Sequence, residues 1–259
     1  FLEQRRPKAN TADKSRLVEG DNIKSTKAQT SGNVRIEKSN ILMIGPTGSG
    51  KTTTLHALLK KMDREHLKIV TIEDPVEKII DGIEQIQVND EINLTFENVL
   101  RHVLRHDPDV IMVGEIRDKE TAELAVRSAL TGHLILSTIH TNDSIGAVSR
   151  LKNLGIEPYL IAGTLRTVLA QRLVRKTCTE CKGKGCNECG FTGFSGRTAV
   201  SEIFNIDETV SAMIEKQMSD AEIRSYIKGH GFKTLKEDAQ LKVKNGISTK
   251  EEMMREGLL

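Results

Sequence analysis

The sequence predicts an α/β protein with a mainly parallel sheet, and two features of the chain support this fold class. Short apolar runs alternate with stretches of helical periodicity, which is typical of parallel strands joined by crossover helices. The chain has 259 residues, which is enough to bury a large hydrophobic core. The apolar runs predicted as strands are 41–44, 69–72, 110–113 and 134–136.

Helices are predicted between these runs from apolar spacing and capping residues. The first begins at Lys51, and the second spans about 96–105 with Thr95 as its N-cap. A third begins after Asp118, where one face of the helix would be apolar. The residues of this face are Ala122, Ala125, Val126, Ala129 and Leu130.

The end of the chain is predicted to be helical after about residue 205. Ser219 with Glu222, and Ser248 with Glu251, have the spacing of capping boxes, in which each side chain satisfies a backbone N–H of the other residue. These two pairs predict the starts of two C-terminal helices.

Four segments are predicted along the chain. Residues 1–33 have few large apolar residues and no sustained periodicity, so we expect a polar leader that is flexible or is the remnant of an N-terminal domain. The α/β core is predicted over 34–177, a cysteine module over 178–197, and a helical region over 198–259.

Composition excludes several classes of protein. The formal net charge is only +2, aromatic residues make up 3% of the chain, and there is no Trp. A dedicated nucleic-acid binder would be more basic, and a single-strand binder would offer more aromatic surface, so nucleic acid is not an expected partner. No apolar run approaches the ~18 residues that a membrane-spanning helix needs.

The segment GPTGSGKT fits the phosphate-loop pattern G-x-x-x-x-G-K-[ST] in full. Glycines let the backbone N–H groups converge on phosphate oxygens, and the following helix adds its positive N-terminal end. Lys51 is expected to neutralise the β- and γ-phosphates of ATP, and the Thr52 hydroxyl to bind Mg²⁺. A flexible glycine turn without a ligand is the alternative. The predicted nucleotide-binding residues here are Gly45, Pro46, Thr47, Gly48, Ser49, Gly50, Lys51, Thr52 and Thr53.

Two acidic clusters follow consecutive apolar runs. Residues 73–77 read EDPVE, and residues 114–118 read GEIRD. The carboxyl ends of parallel strands meet at one edge of a sheet, so these acids are expected beside the phosphate loop. Glu115 is predicted to bind Mg²⁺ through a water molecule. A helix cap or a solvated loop charge is the alternative for any single acid.

Histidines lie on both sides of the fourth run. His133 precedes it and His140 follows it. A lone histidine is more often a structural hydrogen-bonding group than a catalytic one. His140 is nevertheless expected at the strand end nearest the phosphate, where it would sense the γ-phosphate or couple its loss to a neighbouring subunit.

The four cysteines form a single CxxC-x4-CxxC cluster. Each CxxC unit aims two thiolates at one point, and two units complete a tetrahedral Zn²⁺ site with no open position, so the metal would be structural. Cysteines gathered in one cluster indicate a metal site in a reducing cytosol, whereas disulfide-forming cysteines would be scattered along the chain. Redox dithiols are the main alternative, followed by an iron–sulfur cluster. The predicted zinc ligands are Cys178, Cys181, Cys186 and Cys189.

The order of these motifs resembles the family of secretion ATPases that serve type II secretion and type IV pilus assembly. The resemblance covers about residues 41–259 and rests on five segments in the family's order. It implies a RecA-like P-loop NTPase core, a compact tetracysteine zinc module and a helical C-terminal region. The segments are GPTGSGKTTTLHALL, TIEDPVE, RHDPDVIMVGEIRDKETAELAVRSALTGHLILSTIHTND, AQRLVRKTC with its paired cysteines, and GFSGRTAVSEIF.

The resemblance also implies roles for individual residues. Glu77 takes the position of the water-activating glutamate, and Glu115 that of the Walker B glutamate. The family's aspartate box corresponds to 73–77, so Glu73 is expected at the nucleotide, and Arg117 lies in a matching segment. The catalytic residues implied in this way are Glu77, Glu115, His133 and His140.

Members of that family are cytoplasmic homohexamers that dock on inner-membrane platform proteins and use ATP to assemble a pilus or pseudopilus. The resemblance therefore implies peripheral membrane association through partners, with ATP, Mg²⁺ and Zn²⁺ as cofactors. Two other functions stay open at this stage: a DNA-uptake or nucleic-acid translocating ATPase, and a nucleotide-gated zinc scaffold without turnover.

Overall fold

The computed structural model describes residues 39–259, and the side chains from Gly45 onward. The predicted polar leader over 1–33 lies outside the described residues. Within the described part of the chain, the strands are β1 (Ser39–Ile44), β2 (Ile69–Glu73), β3 (Glu84–Gln87), β4 (Val110–Val113), β5 (Leu134–Ile139), β6 (Leu165–Thr177) and β7 (Phe194–Asn205).

The helices lie between and after these strands. Those in the described region are α1 (Lys51–Leu59), α2 (Phe96–Val103), α3 (Lys119–Leu130), α4 (Gly146–Asn153), α5 (Pro158–Thr164), α6 (Glu208–Glu215), α7 (Asp220–Lys228), α8 (Leu235–Lys244) and α9 (Lys250–Arg255).

The described strands form one seven-stranded sheet in the order β3-β2-β4-β5-β1-β6-β7. Neighbouring strands from β3 to β6 are parallel, and only the β6–β7 pair is antiparallel. The predicted α/β class with a mainly parallel sheet is therefore confirmed. All four predicted strands exist, whereas β3, β6 and β7 were not predicted.

Both faces of the sheet are buried under helices, as a parallel sheet requires. On β4, Val110 and Met112 pack with Leu55 and Leu59 of α1 on one face. Ile111 of the same strand joins the larger core on the opposite face, which includes residues of α2 to α7. The alternation follows from the two-residue period of side chains along a strand.

The first predicted helix begins at Lys51, and three of the four predicted helix caps form as the sequence indicated. Thr95 accepts a hydrogen bond from the Asn98 N–H, Asp118 caps α3, and Ser219 forms a reciprocal capping box with Glu222. The fourth prediction, Ser248 with Glu251, is wrong by one residue. The N-cap of α9 is Thr249, which accepts from the Glu252 N–H, while Ser248 is buried and donates to the Arg175 carbonyl.

The cysteine module lies in the connection between β6 and β7. Because β7 runs from Phe194 to Asn205, it crosses the boundary between 197 and 198 that the sequence suggested. The C-terminal region thus begins inside a strand, and its first helix starts at Glu208. Helices α8 and α9 pack on the β6–β7 pair through Ala239 and Met253.

Within residues 39–259, every helix is too short or too polar to cross a bilayer.

Candidate nucleotide-binding site and cysteine cluster

The carboxyl ends of β1, β2, β4 and β5 meet at one edge of the sheet because these strands are parallel. A pocket of about 400 Å³ opens at this edge. It is lined by loop residues that include Lys51 and Thr52, and by Glu77, Glu115 and His140. The structure thus brings together side chains that are spread over some ninety positions of the sequence.

The loop between β1 and α1 has a backbone that only glycine adopts freely. Gly50 has a φ of 86°, in the left-handed region, directly before the first residue of α1. A Cβ atom on Gly45 would lie 2.3 Å from the Ser49 Oγ and 2.5 Å from the carbonyl oxygen of Gln171. The glycines therefore allow the tight turn before α1, and the N-terminus of α1 lies at the pocket, where it would favour a bound anion.

Lys51 is folded back over this loop. Its Nζ donates to the carbonyl oxygens of Gly45 at 2.9 Å and Pro46 at 3.1 Å. Burial lowers the pKa of Lys51 from its usual value, and the nearby Glu115 carboxylate partly opposes this shift. The ammonium is thus held at the mouth of the loop, in the place where phosphate oxygens would meet it.

Gln171 of β6 supports the phosphate loop and α1 through two side-chain hydrogen bonds, which the sequence did not indicate. Its Nε2 donates to the carbonyl oxygen of Ser49 at 2.7 Å, and its Oε1 accepts from the Thr54 hydroxyl at 3.1 Å. Gln171 is almost fully buried. One amide therefore connects the loop and α1 to the neighbouring strand. The only signal in the sequence is a polar residue that lies between Leu169 and Leu173 on one face of β6.

We expect Gln171→Leu to lower the free energy of unfolding by ~1–3 kcal/mol, because it leaves a buried carbonyl and a hydroxyl without partners. Affinity for a fluorescent ATP analogue should fall as well, since the loop loses its support. Urea denaturation and nucleotide titration measure the two effects. Gln240→Leu, on the exposed side of α8, is the matched control. Equal effects in both variants would contradict the role of Gln171.

Glu115 lies at the centre of a charged cluster at the pocket. Its Oε2 is 3.2 Å from His140 Nε2, and its Oε1 forms an ion pair with Arg117. The hydrogen bond that Arg117 donates to Glu115 is the main reason that the pKa of Arg117 is raised. Arg117 NH2 also lies 3.8 Å from Asp74 Oδ2. The Glu115 side chain is 16% exposed, whereas those of His140 and Arg117 are more than half exposed.

Glu73 lines the pocket floor but is almost fully buried and held by protein groups. Its Oε2 is 3.1 Å from His56 Nε2, and its Oε1 accepts from Thr71 Oγ1 at 2.6 Å. Gln85 Nε2 donates to the same oxygen at 2.9 Å. Glu73 therefore anchors structure around the pocket, and the nucleotide contact predicted for it stays a prediction.

Glu77 is the exposed carboxylate among the predicted catalytic residues, and it lies in the loop after β2. An exposed carboxylate in the same pocket as Lys51 suits a group that orients water. Arg197 of β7 also lines the pocket, and sequence reasoning did not single it out.

His133 is not brought to this pocket. It directly precedes β5, at the amino end of the strand, where its Nδ1 lies 2.8 Å from the carbonyl oxygen of Ser128. His133 and His140 are therefore separated by the whole of β5, roughly 20 Å at the usual rise per residue. Within this chain, His133 lies at the edge of the sheet opposite the pocket, and the catalytic role predicted for it stays a prediction.

Glu202 of β7 connects the loop after His140 to the C-terminal helices. Its Oε1 accepts from the Ser144 N–H at 2.9 Å, and its Oε2 accepts from the Leu235 N–H at 3.1 Å. The carboxylate is almost fully buried. Arg224 of α7 adds a second link by donating to Asp143 Oδ2 at 2.8 Å.

The four cysteine sulfurs form a compact cluster, with all ligand atoms within 4.8 Å of one another. The Sγ atoms of Cys178 and Cys186 are 3.9 Å apart, and those of Cys181 and Cys189 are 3.8 Å apart. A tetrahedral site with Zn–S bonds of about 2.3 Å requires sulfur separations of about 3.8 Å. The residues therefore fit Zn²⁺, and all four sulfurs are free thiols.

Backbone N–H groups donate to two of these sulfurs, those of Cys181 and Cys189. The Cys186 N–H donates to Cys189 Sγ at 3.3 Å and is the largest cause that lowers the pKa of Cys189 to about 6. The Gly193 N–H adds a bond to the same sulfur, and the Gly185 N–H donates to Cys181 Sγ at 3.2 Å. Such outer hydrogen bonds are typical of metal sites with thiolate ligands.

A glycine-rich loop between a parallel strand and a helix, with a lysine over it and carboxylates beside it, defines a P-loop nucleotide-binding protein. Comparisons with known proteins show to which family of P-loop proteins the chain belongs. The family model described as type II/IV secretion system protein matches residues 11–255. The chain belongs to this secretion ATPase family, as the motif order indicated.

The similar proteins include both type II secretion proteins and a type IV pilus assembly ATPase. The type II secretion system protein HxcR of Pseudomonas aeruginosa is 47% identical over 223 residues, which cover 83% of this chain and 48% of HxcR. The type IV pilus assembly ATPase PilB of Thermus thermophilus is 43% identical over 240 residues, covering 82% of this chain and 27% of PilB. The chain spans about half the length of the type II relatives it matches.

Solved structures support the fold assignment. The crystal structure of the pilus retraction motor PilT with bound ADP superposes with a TM-score of 0.70 at 29% identity, covering 84% of this chain and 60% of PilT. The predicted P-loop core is therefore confirmed.

Proposed function

We propose that this chain is the ATP-hydrolysing part of a motor that powers assembly of a pilus or pseudopilus, in type IV pilus biogenesis or type II secretion. One observation carries the proposal: Lys51, Glu77 and Glu115 come from three separate segments and line one pocket at the phosphate loop. Family membership and the relatives named above for secretion and pilus assembly support the coupling to these systems.

In the proposed mechanism, Lys51 and the loop N–H groups bind the β- and γ-phosphates of ATP. Thr52 and Glu115 would hold Mg²⁺, which supplies charge neutralisation on the phosphate oxygens. Glu77 orients the attacking water and accepts its proton. His140 contacts Glu115, so it responds to the γ-phosphate through that carboxylate.

The proposed working form is a cytoplasmic homohexamer bound to inner-membrane platform and docking proteins. The exposed faces of His140 and Arg117 leave the charged cluster open to a neighbouring subunit. The cysteine cluster would hold one structural Zn²⁺ and brace the connection between β6 and β7. Light scattering with and without a non-hydrolysable ATP analogue tests the hexamer.

Glu77→Gln tests the proposed activity. The variant should bind ATP as tightly as the parent chain, because the phosphate loop is unchanged, while its turnover should fall by ~10²-fold. Steady-state phosphate release and titration with a fluorescent ATP analogue measure the two quantities on the same oligomeric fraction. Glu84→Gln, on the exposed edge strand nearby, is the matched control. Undiminished phosphate release from Glu77→Gln would remove Glu77 as the residue that activates water.

A further inference from the structure

The loop that carries Glu77 runs from the end of β2 to the start of β3, over residues 74–83. Glu77 itself is exposed, and so are several of its neighbours in the loop. A carboxylate on such a segment activates water efficiently only if the backbone around it is held in place. Next to Glu77 this support comes from the side chains of two glutamines on β3, while Arg64 donates to the Asp81 carbonyl further along the loop.

Gln85 holds the part of the loop that follows Glu77. Its Oε1 accepts from the Ile80 N–H at 2.6 Å, and its Nε2 donates to the carbonyl oxygen of Lys78 at 3.0 Å. The same Nε2 donates to Glu73 Oε1 at 2.9 Å. The side-chain amide thus satisfies two backbone groups of the loop and one buried carboxylate.

Gln87 holds the residue that precedes Glu77. Its Oε1 accepts from the Val76 N–H at 3.2 Å. Gln85 and Gln87 are two positions apart on β3, so their side chains project from the same face of the strand. Together they fix the backbone on both sides of Glu77, at Val76 and at Lys78.

The Gln85 contacts also connect this loop to the nucleotide loop. Glu73 accepts from Gln85 through one oxygen and contacts His56 Nε2 through the other, at 3.1 Å. His56 lies in α1, the helix that begins at Lys51. A continuous set of hydrogen bonds therefore joins the Lys78 carbonyl to the helix that supports the phosphates.

We propose that Gln85 is a positioning residue that fixes Glu77 relative to the bound phosphates, with Gln87 as a weaker second support. The inference rests on the proposed role of Glu77 in activating water. Both the donor and the acceptor of the amide are needed. A glutamate at position 85 would keep the acceptor for the Ile80 N–H but could not donate to Lys78, and it would place a second carboxylate against Glu73.

Gln85→Met tests the proposal, since methionine has a similar length and volume but neither polar group. We expect kcat to fall by ~10-fold or more, because small displacements of a reacting group are costly, while KM for ATP changes less than about twofold. Gln87→Met should lower kcat by a smaller factor. Gln240→Met, on the exposed side of α8, controls for the substitution itself. Circular dichroism and thermal melting establish that each variant folds.

A double-mutant cycle with Glu77→Gln separates positioning from general destabilisation. If Gln85 acts through Glu77, adding Gln85→Met to Glu77→Gln should lower kcat by less than about twofold further. Independent, multiplying losses would overturn the inference, as would an unchanged kcat in Gln85→Met.

Hydrogen exchange distinguishes failure of this inference from failure of the proposed function. The backbone N–H groups of Val76 and Ile80 should exchange faster in Gln87→Met and Gln85→Met respectively, whatever the role of Glu77. Unchanged exchange at Ile80 would show that Gln85 does not hold the loop. If exchange rises while Glu77→Gln still turns over ATP at the parent rate, the proposed role of Glu77 is what fails.

Discussion

Lys51→Ala is expected to lower ATP turnover by ~10³-fold or more, the largest effect of any single substitution considered for this chain. The lysine supplies the only ammonium group among the described residues that line the pocket. Its Nζ is already directed over the loop by the Gly45 and Pro46 carbonyls, so little reorganisation is needed when phosphates replace part of those contacts. Its removal takes away charge where negative charge is greatest.

Nucleotide affinity should also fall, because ground-state phosphates lose the same partner. Phosphate release and titration with a fluorescent ATP analogue separate the two losses. Lys60→Ala, at the exposed end of α1, removes the same charge from the same helix and should leave both quantities unchanged. A Lys51→Ala protein that still bound and hydrolysed ATP normally would contradict the assignment of the pocket.

Removal of the metal from the cysteine cluster should produce the second large effect. Elemental analysis is expected to find one zinc per chain, and Cys186→Ser should reduce that content sharply. Metal binding at structural zinc sites contributes ~10–16 kcal/mol in small zinc domains at neutral pH, so its loss should unfold the connection between β6 and β7. Proteolysis within 178–193 and a lower melting temperature report this local unfolding.

The pH dependence of zinc retention follows from the state of the sulfurs. Thiolates bind the metal, so affinity falls as pH falls and the sulfurs are protonated. The pKa of Cys189 is lowered to about 6 and that of Cys186 is raised to about 11, so in the metal-free cluster the two sulfurs lose their protons at very different pH. Glu188→Gln, an exposed change in the same module that spares the sulfurs, is the control. A chain that lacks zinc, or that carries iron instead, would require a different assignment of the cysteines.

The parts of the site that the sequence predicted well are those in which the chemistry is local. The phosphate loop and the paired cysteines depend on spacing within a few residues, and their geometry follows from that spacing. Glu77, Glu115 and His140 line one pocket, as the sequence predicted from the mainly apolar runs that precede them.

The parts that the sequence did not predict depend on contacts between distant segments. Gln171 and Gln85 are single amides on strands with mixed polar and apolar residues, and their partners lie on other elements. His133 was placed at the site by resemblance alone, although it precedes its strand. The shift of the last helix cap to Thr249 arises because Glu252 turns inward to pair with Arg175, a contact 77 positions apart.

The buried carboxylate of Glu202 has a consequence for how two distant segments can move. It is gripped by the Ser144 N–H on one side and by the first residue of α8 on the other. Separating either segment from Glu202 would remove a hydrogen bond from a buried carboxylate oxygen, at a cost of ~1–3 kcal/mol. We therefore expect the turn that follows His140 and the start of α8 to move together.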